Sequence, residues 1–200
     1  MDDLIALARK IARAGTWFGG GLLVIAALII GVEVVIRKAF SLSIGGADEL
    51  SGFALAIGSA WSFAFALMDR AHVRIDSLYV VLPTRLCAVL DVLGLMALTG
   101  FMALVTWFGY GVFEKSFEFG ARTMSPLAPP LAVPQALWVL GLVMFMAVAL
   151  LLLARALIAL VSGDSRGVQR LIGSRTVAQE IEEELQDLAR RGDRDPGAPA

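Results

Sequence analysis

The segment from Asp48 to Asp76 contains a run of 19 consecutive uncharged residues, Leu50 to Met68, which constrains the fold more than any other feature. Acidic residues precede this run, and a polar group that includes His72 follows it. A run of about 20 apolar residues is long enough to cross the hydrocarbon core of a bilayer as a helix. The segment is therefore predicted to be one membrane-spanning helix with charged residues at both ends.

The composition extends this interpretation to the whole chain. Of the 200 residues, 58% are hydrophobic and 18% are charged, whereas a soluble domain has about 45–50% apolar and about 25% charged residues. The excess lies in long uncharged runs, so the predicted fold class is an all-α integral membrane protein with four transmembrane helices. The predicted spans are residues 16–36, 50–68, 86–113 and 136–161.

The two ends of the chain differ from this membrane domain. Residues 1–15 are amphipathic and are expected to lie along the interface, or alternatively to extend the first span as a flanking helix. Residues 162–200 are expected to form a cytoplasmic tail, with an acidic helix from Thr176 to Leu188 and a disordered end. That acidic helix is expected either to pack on a partner or to remain solvated.

The distribution of basic residues predicts the orientation. With four spans both termini lie on one side, and that side holds ten Lys and Arg residues before the distal tail against four on the other side. Both termini are therefore predicted to be cytoplasmic.

Charged residues near the span ends are candidates for structural ion pairs or for function. Glu33 precedes Arg37 by four residues, the favourable order for a helical pair, and the structural role is favoured over the functional one. Asp91 and Arg155 are expected at the same inner depth, where they are predicted to pair. The proposed charge girdle at the two span ends comprises Glu33, Arg37, Glu49, His72, Asp76, Asp91 and Arg155.

Small residues recur at helical spacing in the second span. Gly52, Ala56, Ala60 and Ala64 are four apart and share one face. Such a face allows a second helix to approach closely in lipid. The alternative is that Ala and Gly are simply frequent in membrane helices.

The sequence offers little for catalysis or cofactor binding. The single cysteine, Cys87, and the single histidine, His72, argue against a disulfide framework, a metal centre or paired haem ligands. No catalytic motif is found, so no enzyme activity and no cofactor are predicted, and the near-neutral charge does not indicate nucleic acid as a partner. Three functional classes are compatible with such a chain: a scaffold subunit, a dimeric small exporter, and a membrane-embedded enzyme or electron-transfer subunit. The apolar span centres favour the scaffold.

Three features in order carry a resemblance to a known family. They are an acid at the start of the second span, Glu49; the pattern H-V-x-I-D from His72 to Asp76; and S-P-L-x-x-P-x-x-x-P from Ser125 to Pro134. With four spans, this pattern over about residues 16–160 resembles the small membrane subunit, of the DctQ type, of tripartite ATP-independent periplasmic (TRAP) transporters.

The resemblance implies a role, partners and a location. The chain would be the scaffold subunit of a sodium-coupled transporter in the bacterial inner membrane. The transporter would import an organic acid delivered by a periplasmic binding protein. The implied partners are the large TRAP membrane subunit, that binding protein and membrane lipids. The alternative function, which the resemblance does not imply, is an autonomous small exporter that acts as a dimer.

Candidate contact residues follow from this role. The proposed interface with the large subunit comprises Gly52, Ala56, Ala60, Ala64, Gly94 and Gly100. The proposed periplasmic docking loop contains Ser116, Arg122, Ser125, Pro126 and Pro134. The aromatic residues expected to face lipid and fix the depth are Trp17, Trp61, Trp107 and Trp138.

Overall fold

The computed structural model describes residues 2–43, 45–70 and 82–173. Within these residues the chain forms five α-helices: α1 (Asp2–Phe40), α2 (Ala47–Met68), α3 (Thr84–Glu118), α4 (Ala132–Val161) and α5 (Ser165–Ile172). The first four are long and apolar enough to cross a membrane. The predicted fold class is therefore confirmed in its helical character and in its four candidate spans.

The first helix is much longer than the predicted span of residues 16–36. It contains 39 residues without interruption, so it is about 58 Å long, against about 30 Å for a hydrocarbon core. Residues 2–15 are thus the first part of the same helix, which is the alternative that the sequence analysis kept open. They extend α1 because no proline separates them from the apolar run, and the single Gly15 between them is tolerated inside a helix.

The four long helices form a layer rather than a closed square. α1 packs on α2, α2 packs on α4, and α4 packs on α3, while α1 touches α4 only slightly. The spatial order is therefore α1–α2–α4–α3, with α1 and α3 at the edges. Because each long helix has few neighbours, most of its apolar surface lies outside the bundle.

The contact between α1 and α2 depends on small residues. Ala12, Gly15, Gly19 and Ala26 are buried along one face of α1, at successive steps of three, four and seven residues. A Cβ atom added at Gly19 would lie 2.8 Å from the Gly58 carbonyl oxygen of α2. The two backbones are therefore in direct contact, as is typical of helix pairs in lipid.

The contact between α2 and α4 uses the other side of α2. Ala60 is 1% exposed, and a Cβ atom added at Gly141 of α4 would lie 3.0 Å from its methyl carbon. The neighbouring Trp61 indole Nε1 donates a hydrogen bond to the Leu137 carbonyl oxygen at 2.9 Å. Small side chains thus allow the close approach, and an indole crosses between the two helices.

A short helix that the sequence analysis did not predict closes one end of the layer. The Asp164 side chain accepts a hydrogen bond from the Gly167 backbone N–H at 2.8 Å and so caps the N-terminus of α5. Val168 and Ile172 are buried in the core next to the start of α3 and the end of α4. The acidic helix predicted from Thr176 onwards lies outside the described residues.

Candidate partner-binding surfaces

The end of α1 next to the α1–α2 loop carries a buried carboxylate that holds this loop. We call this end of the helix layer the outer end and the opposite one the inner end, after the predicted orientation. Glu33 is 3% exposed, and its Oε1 accepts hydrogen bonds from Arg37 Nη2 at 2.7 Å and from Ser43 Oγ at 2.6 Å. Ser43 Oγ in turn accepts a hydrogen bond from the Gly45 backbone N–H at 3.2 Å. The predicted Glu33–Arg37 pair is therefore present. It also orders the α1–α2 loop, and this supports the structural role for Glu33.

The two outer loops pack against each other. Gly45 and Gly46 have positive φ angles of 66° and 127°. Cβ atoms added there would lie 3.1 Å from Pro126 Cγ and 2.6 Å from Leu127 Cδ1, respectively. Glycine is thus required at these positions for two reasons: the turn needs positive φ angles, and the α3–α4 loop leaves no space for a side chain. We call these packed loops, residues 41–46 and 119–131, the outer platform.

The α3–α4 loop is held in a defined shape by its own hydrogen bonds. The Leu131 N–H donates to the Ala121 carbonyl oxygen at 3.0 Å, and the Thr123 N–H donates to the Pro129 carbonyl oxygen at 3.3 Å. Arg122 Nη1 donates to the Ala128 carbonyl oxygen at 3.0 Å. The four prolines between Pro126 and Pro134 favour an extended, rigid loop, but the loop is folded back on itself, because its free N–H groups find partners within the loop.

The predicted docking residues occupy different parts of this platform. Arg122 and Pro126 are exposed, whereas Ser125 and Pro134 are half-buried. Ser116 is buried in the last turns of α3, where its carbonyl oxygen accepts a hydrogen bond from the Ala121 N–H at 2.9 Å. The structure thus leaves Arg122 and Pro126 accessible to a partner and gives Ser116 a structural position.

Apolar side chains on and beside the platform were not singled out from the sequence. Phe117, Phe119 and Met124 are strongly exposed at the end of α3 and in the loop after it. An exposed group of large apolar side chains is typical of contact with a protein or a membrane. The sequence feature that could have indicated this surface is that the three residues lie within eight positions of one another.

Glu49 lies in the first turn of α2, beside the platform. Its carboxylate Oε2 is buried and has no hydrogen-bond partner in the structure. An acid in this position interacts favourably with the positive end of the helix dipole. Glu49 thus lies at the start of the second span, and its exposure to the periplasm stays a prediction.

The structure divides the predicted large-subunit face. Gly52 and Ala56 of α2 and Gly94 and Gly100 of α3 are exposed, but Ala64 is 0% exposed and Ala60 is equally enclosed. Because α4 covers the inner half of the α2 stripe, Ala60 and Ala64 contact this chain's own helix. Their assignment to a partner interface is corrected to internal packing.

Two of the four tryptophans expected to face lipid also lie between helices. Trp61 is half-buried between α1 and α4, and Trp138 packs on Gly109, where an added Cβ atom would lie 2.9 Å from its ring. Trp17 and Trp107 are exposed as expected. The difference arises because glycines at positions 15, 109 and 141 make room for indole rings.

Polar side chains inside the spans bond to their own helices. The hydroxyl groups of Ser62, Thr99 and Thr106 each donate to the carbonyl oxygen four residues earlier, at 2.7–2.8 Å. Groups satisfied in this way are not aimed at a substrate. Within residues 2–43, 45–70 and 82–173, no three His, Cys, Asp or Glu side chains lie together as metal ligands.

The comparison with protein families identifies the chain. The model of the family "Tripartite ATP-independent periplasmic transporters, DctQ component" matches residues 26–159, about two thirds of the chain. The chain belongs to the DctQ family. No curated protein and no solved structure matches it.

Membership of the DctQ family makes the chain the small membrane component of a TRAP transporter. The matched residues cover the last 15 residues of α1, all of α2 and α3, and nearly all of α4. They therefore include the outer platform and the exposed faces of α2 and α3. The first 24 residues of α1 and the whole of α5 lie outside the match.

Two further predicted sites stay predictions for this DctQ protein. His72 and Asp76 lie outside the described residues. Asp91 is 2% exposed near the start of α3, Arg155 is half-buried near the end of α4, and each has an interaction partner in the structure. Whether these two side chains pair with each other stays a prediction.

Proposed function

We propose that the chain is the scaffold subunit of a sodium-coupled TRAP transporter that imports an organic acid delivered by a periplasmic binding protein. The observation that carries this proposal is the DctQ family match over residues 26–159, within four apolar helices arranged as a layer. The comparisons give no support to the alternative of an autonomous exporter. The chain lies in the bacterial inner membrane with both termini in the cytoplasm, as the basic residues predict.

The layered arrangement suits a brace. Helices in a layer do not enclose a path between them, and the hydroxyl groups described above are satisfied within their own helices. A transported substrate would need polar groups directed into a cavity near the midplane. The substrate pathway and the sodium sites therefore belong to the large subunit, and this chain holds that subunit in place.

The exposed face of α2 is the proposed contact with the large subunit. α1 covers one side of α2 and α4 covers another, which leaves an arc with Gly52, Ala56 and the half-buried Ser59. α2 has the lowest mean hydropathy of the four spans. A surface that met only lipid tails would favour large apolar side chains, whereas small residues favour close helix packing.

The outer platform is the proposed contact with the binding protein. Its two loops are mutually packed, and Arg122 and Pro126 are accessible on it. A preformed platform loses little conformational entropy when it binds, so it provides a defined docking surface. Under the proposed orientation this platform faces the periplasm.

The experiment compares three double variants in co-expression with the large subunit. Gly52→Leu with Ala56→Leu fills the α2 face, Gly94→Leu with Gly100→Leu fills the exposed α3 face, and Gly20→Leu with Ala27→Leu fills an exposed part of α1. We expect the α2 pair to reduce co-purification and substrate uptake, because bulky insertions into a packed contact cost about 1–3 kcal/mol. Equal co-purification for the α2 and α1 pairs would reject the α2 face, while absence of any large membrane partner would reject the scaffold role.

A further inference from the structure

A groove lies where α3 begins and the turn between α4 and α5 folds back. Its volume is about 830 Å³, and it is lined on one side by Thr84, Arg85 and Leu86 and on the other by Asp164, Ser165 and Arg166. α3 starts and α4 ends beside it, so the groove lies at a boundary of the membrane-spanning region.

The groove is lined by two arginines, Arg85 and Arg166, and one carboxylate, Asp164, so the charge of these lining side chains is net positive. Arg85 and Arg166 are exposed, and neither forms a hydrogen bond or an ion pair with another residue in the described ranges 2–43, 45–70 and 82–173. The carboxylate of Asp164 is already engaged, because it caps α5 through the Gly167 N–H. Two free guanidinium groups that face one groove, with the hydroxyl groups of Thr84 and Ser165 nearby, match the chemistry of a phosphate group.

One wall of the groove continues as an apolar surface into the membrane. Leu86 and Val89 line the groove, and Leu93 and Met96 follow at i+7 and i+10 from Leu86, so that all four share one face of α3. All four are exposed. α3 is an edge helix, so no described helix of this chain covers that face. A ligand that fits both parts has an anionic head and a long apolar chain.

We propose that this groove binds an anionic phospholipid, with its phosphate between Arg85 and Arg166 and an acyl chain along the exposed face of α3. Basic pockets at the ends of membrane helices bind such headgroups. One wall belongs to α5, which lies outside the family match, so this site does not follow from the DctQ assignment. It is also independent of the proposed contact with the large subunit.

The test measures lipid binding to the purified full chain in neutral detergent by native mass spectrometry. The probes are phosphatidylglycerol and phosphatidylcholine with identical acyl chains. We expect the parent chain to retain phosphatidylglycerol preferentially, and Arg85→Gln with Arg166→Gln to weaken its binding about 25-fold. Each arginine near an anionic surface contributes about fivefold to binding.

A matched control removes two charges from the same end of the helix layer, where α1 begins. Lys10→Gln with Arg13→Gln changes two exposed cations of α1, and we expect less than about a twofold loss. If both variants lost phosphatidylglycerol binding to the same extent, the binding would be explained by non-specific electrostatic attraction, and the proposal would be overturned. No difference between the parent and the Arg85/Arg166 variant would also overturn it, which is the result expected if the acidic segment Glu180–Asp187 occupies the groove.

A second arm separates a lipid from a soluble phosphate. Glycerol 3-phosphate carries the same anionic group without acyl chains, so it should fail to displace phosphatidylglycerol at comparable concentration. Leu86→Asn with Leu93→Asn should weaken lipid binding without altering the arginines. If glycerol 3-phosphate competes equally well and the asparagine variant binds lipid normally, the site is one for a soluble anion and the lipid assignment is wrong.

Discussion

Replacing Gly19 with alanine places a methyl group against the backbone of α2. The added Cβ atom would lie 2.8 Å from the Gly58 carbonyl oxygen and 2.9 Å from its Cα atom. Ordinary contact begins near 3.4 Å, so the two helices must separate locally by about 0.6 Å. Backbone atoms cannot rotate away as the end of a side chain can, so α1 or α2 must move as a unit.

The expected cost follows from this displacement. A gap of 0.5–1 Å forfeits about a quarter to a half of each neighbouring van der Waals contact, and overpacking of this kind costs about 1–3 kcal/mol. Alanine also gains about 1 kcal/mol over glycine in a helix interior. Gly20→Ala receives the same helix gain without the clash, since nothing lies within 4 Å of its added Cβ atom. The difference between the two variants therefore isolates a steric penalty of about 1–3 kcal/mol.

The measurement is reversible unfolding of the full chain in mixed micelles with increasing dodecyl sulfate, followed by circular dichroism. A third variant, Gly58→Ala, tests the grading, because its added Cβ atom lies 3.0 Å from the Gly19 carbonyl oxygen and 3.3 Å from Leu23 Cγ. We expect stability to increase in the order Gly19→Ala, Gly58→Ala, Gly20→Ala. Equal stability of the Gly19 and Gly20 variants would refute direct backbone contact between α1 and α2.

Three further predictions use the same unfolding assay. Glu33→Gln should lower the free energy of unfolding by about 1.5–3 kcal/mol, because it weakens charge-assisted hydrogen bonds from Arg37 and the loop. Gly46→Ala should lower it by about 1–3 kcal/mol, because φ is 127° and the methyl group would meet the α3–α4 loop. Trp61→Phe should lower it by about 0.6 kcal/mol through loss of its hydrogen bond to Leu137.

Each of these variants has a matched control elsewhere in the chain. Glu114→Gln removes an exposed acid, and Trp107→Phe changes an exposed indole, so both should stay within about 0.5 kcal/mol of the parent. Gly120→Ala has a positive φ of 58° but open space, so it should cost less than Gly46→Ala. If a control variant lost as much free energy of unfolding as its test variant, the contact removed by the test variant would not contribute to stability.

The local features of the chain were predictable because they depend on neighbouring residues. The Glu33–Arg37 pair follows from a spacing of four within one helix, and the Gly45-Gly46 turn follows from the freedom of glycine at positive φ. The hydrogen bonds of Ser62, Thr99 and Thr106 are local in the same way, since each hydroxyl group bonds to the carbonyl oxygen four residues earlier in its own helix.

The candidate interface was predicted less completely, because helical spacing defines a face but not its neighbour. Gly52 and Ala60 belong to the same stripe of small residues spaced four apart, yet Gly52 is exposed and Ala60 is buried, with only 1% of its surface exposed. The difference is that α4 crosses only the inner half of the α2 stripe. The buried face of α1 around Gly19 is likewise hard to predict from the sequence. Its small residues are spaced three, four and seven apart, so they do not form a simple repeat of four.

The uncharged run from Leu50 to Met68 determined by itself that this segment forms a membrane-spanning helix, because its backbone must satisfy its hydrogen bonds internally in lipid. The other three runs did the same, and the motifs between them identified the family. The tertiary structure decided the order α1–α2–α4–α3, and hence which small residues hold the chain together and which stay available to a partner. Lipid offers little hydrophobic discrimination between one helix face and another, so that choice depends on shape complementarity between helices distant in sequence.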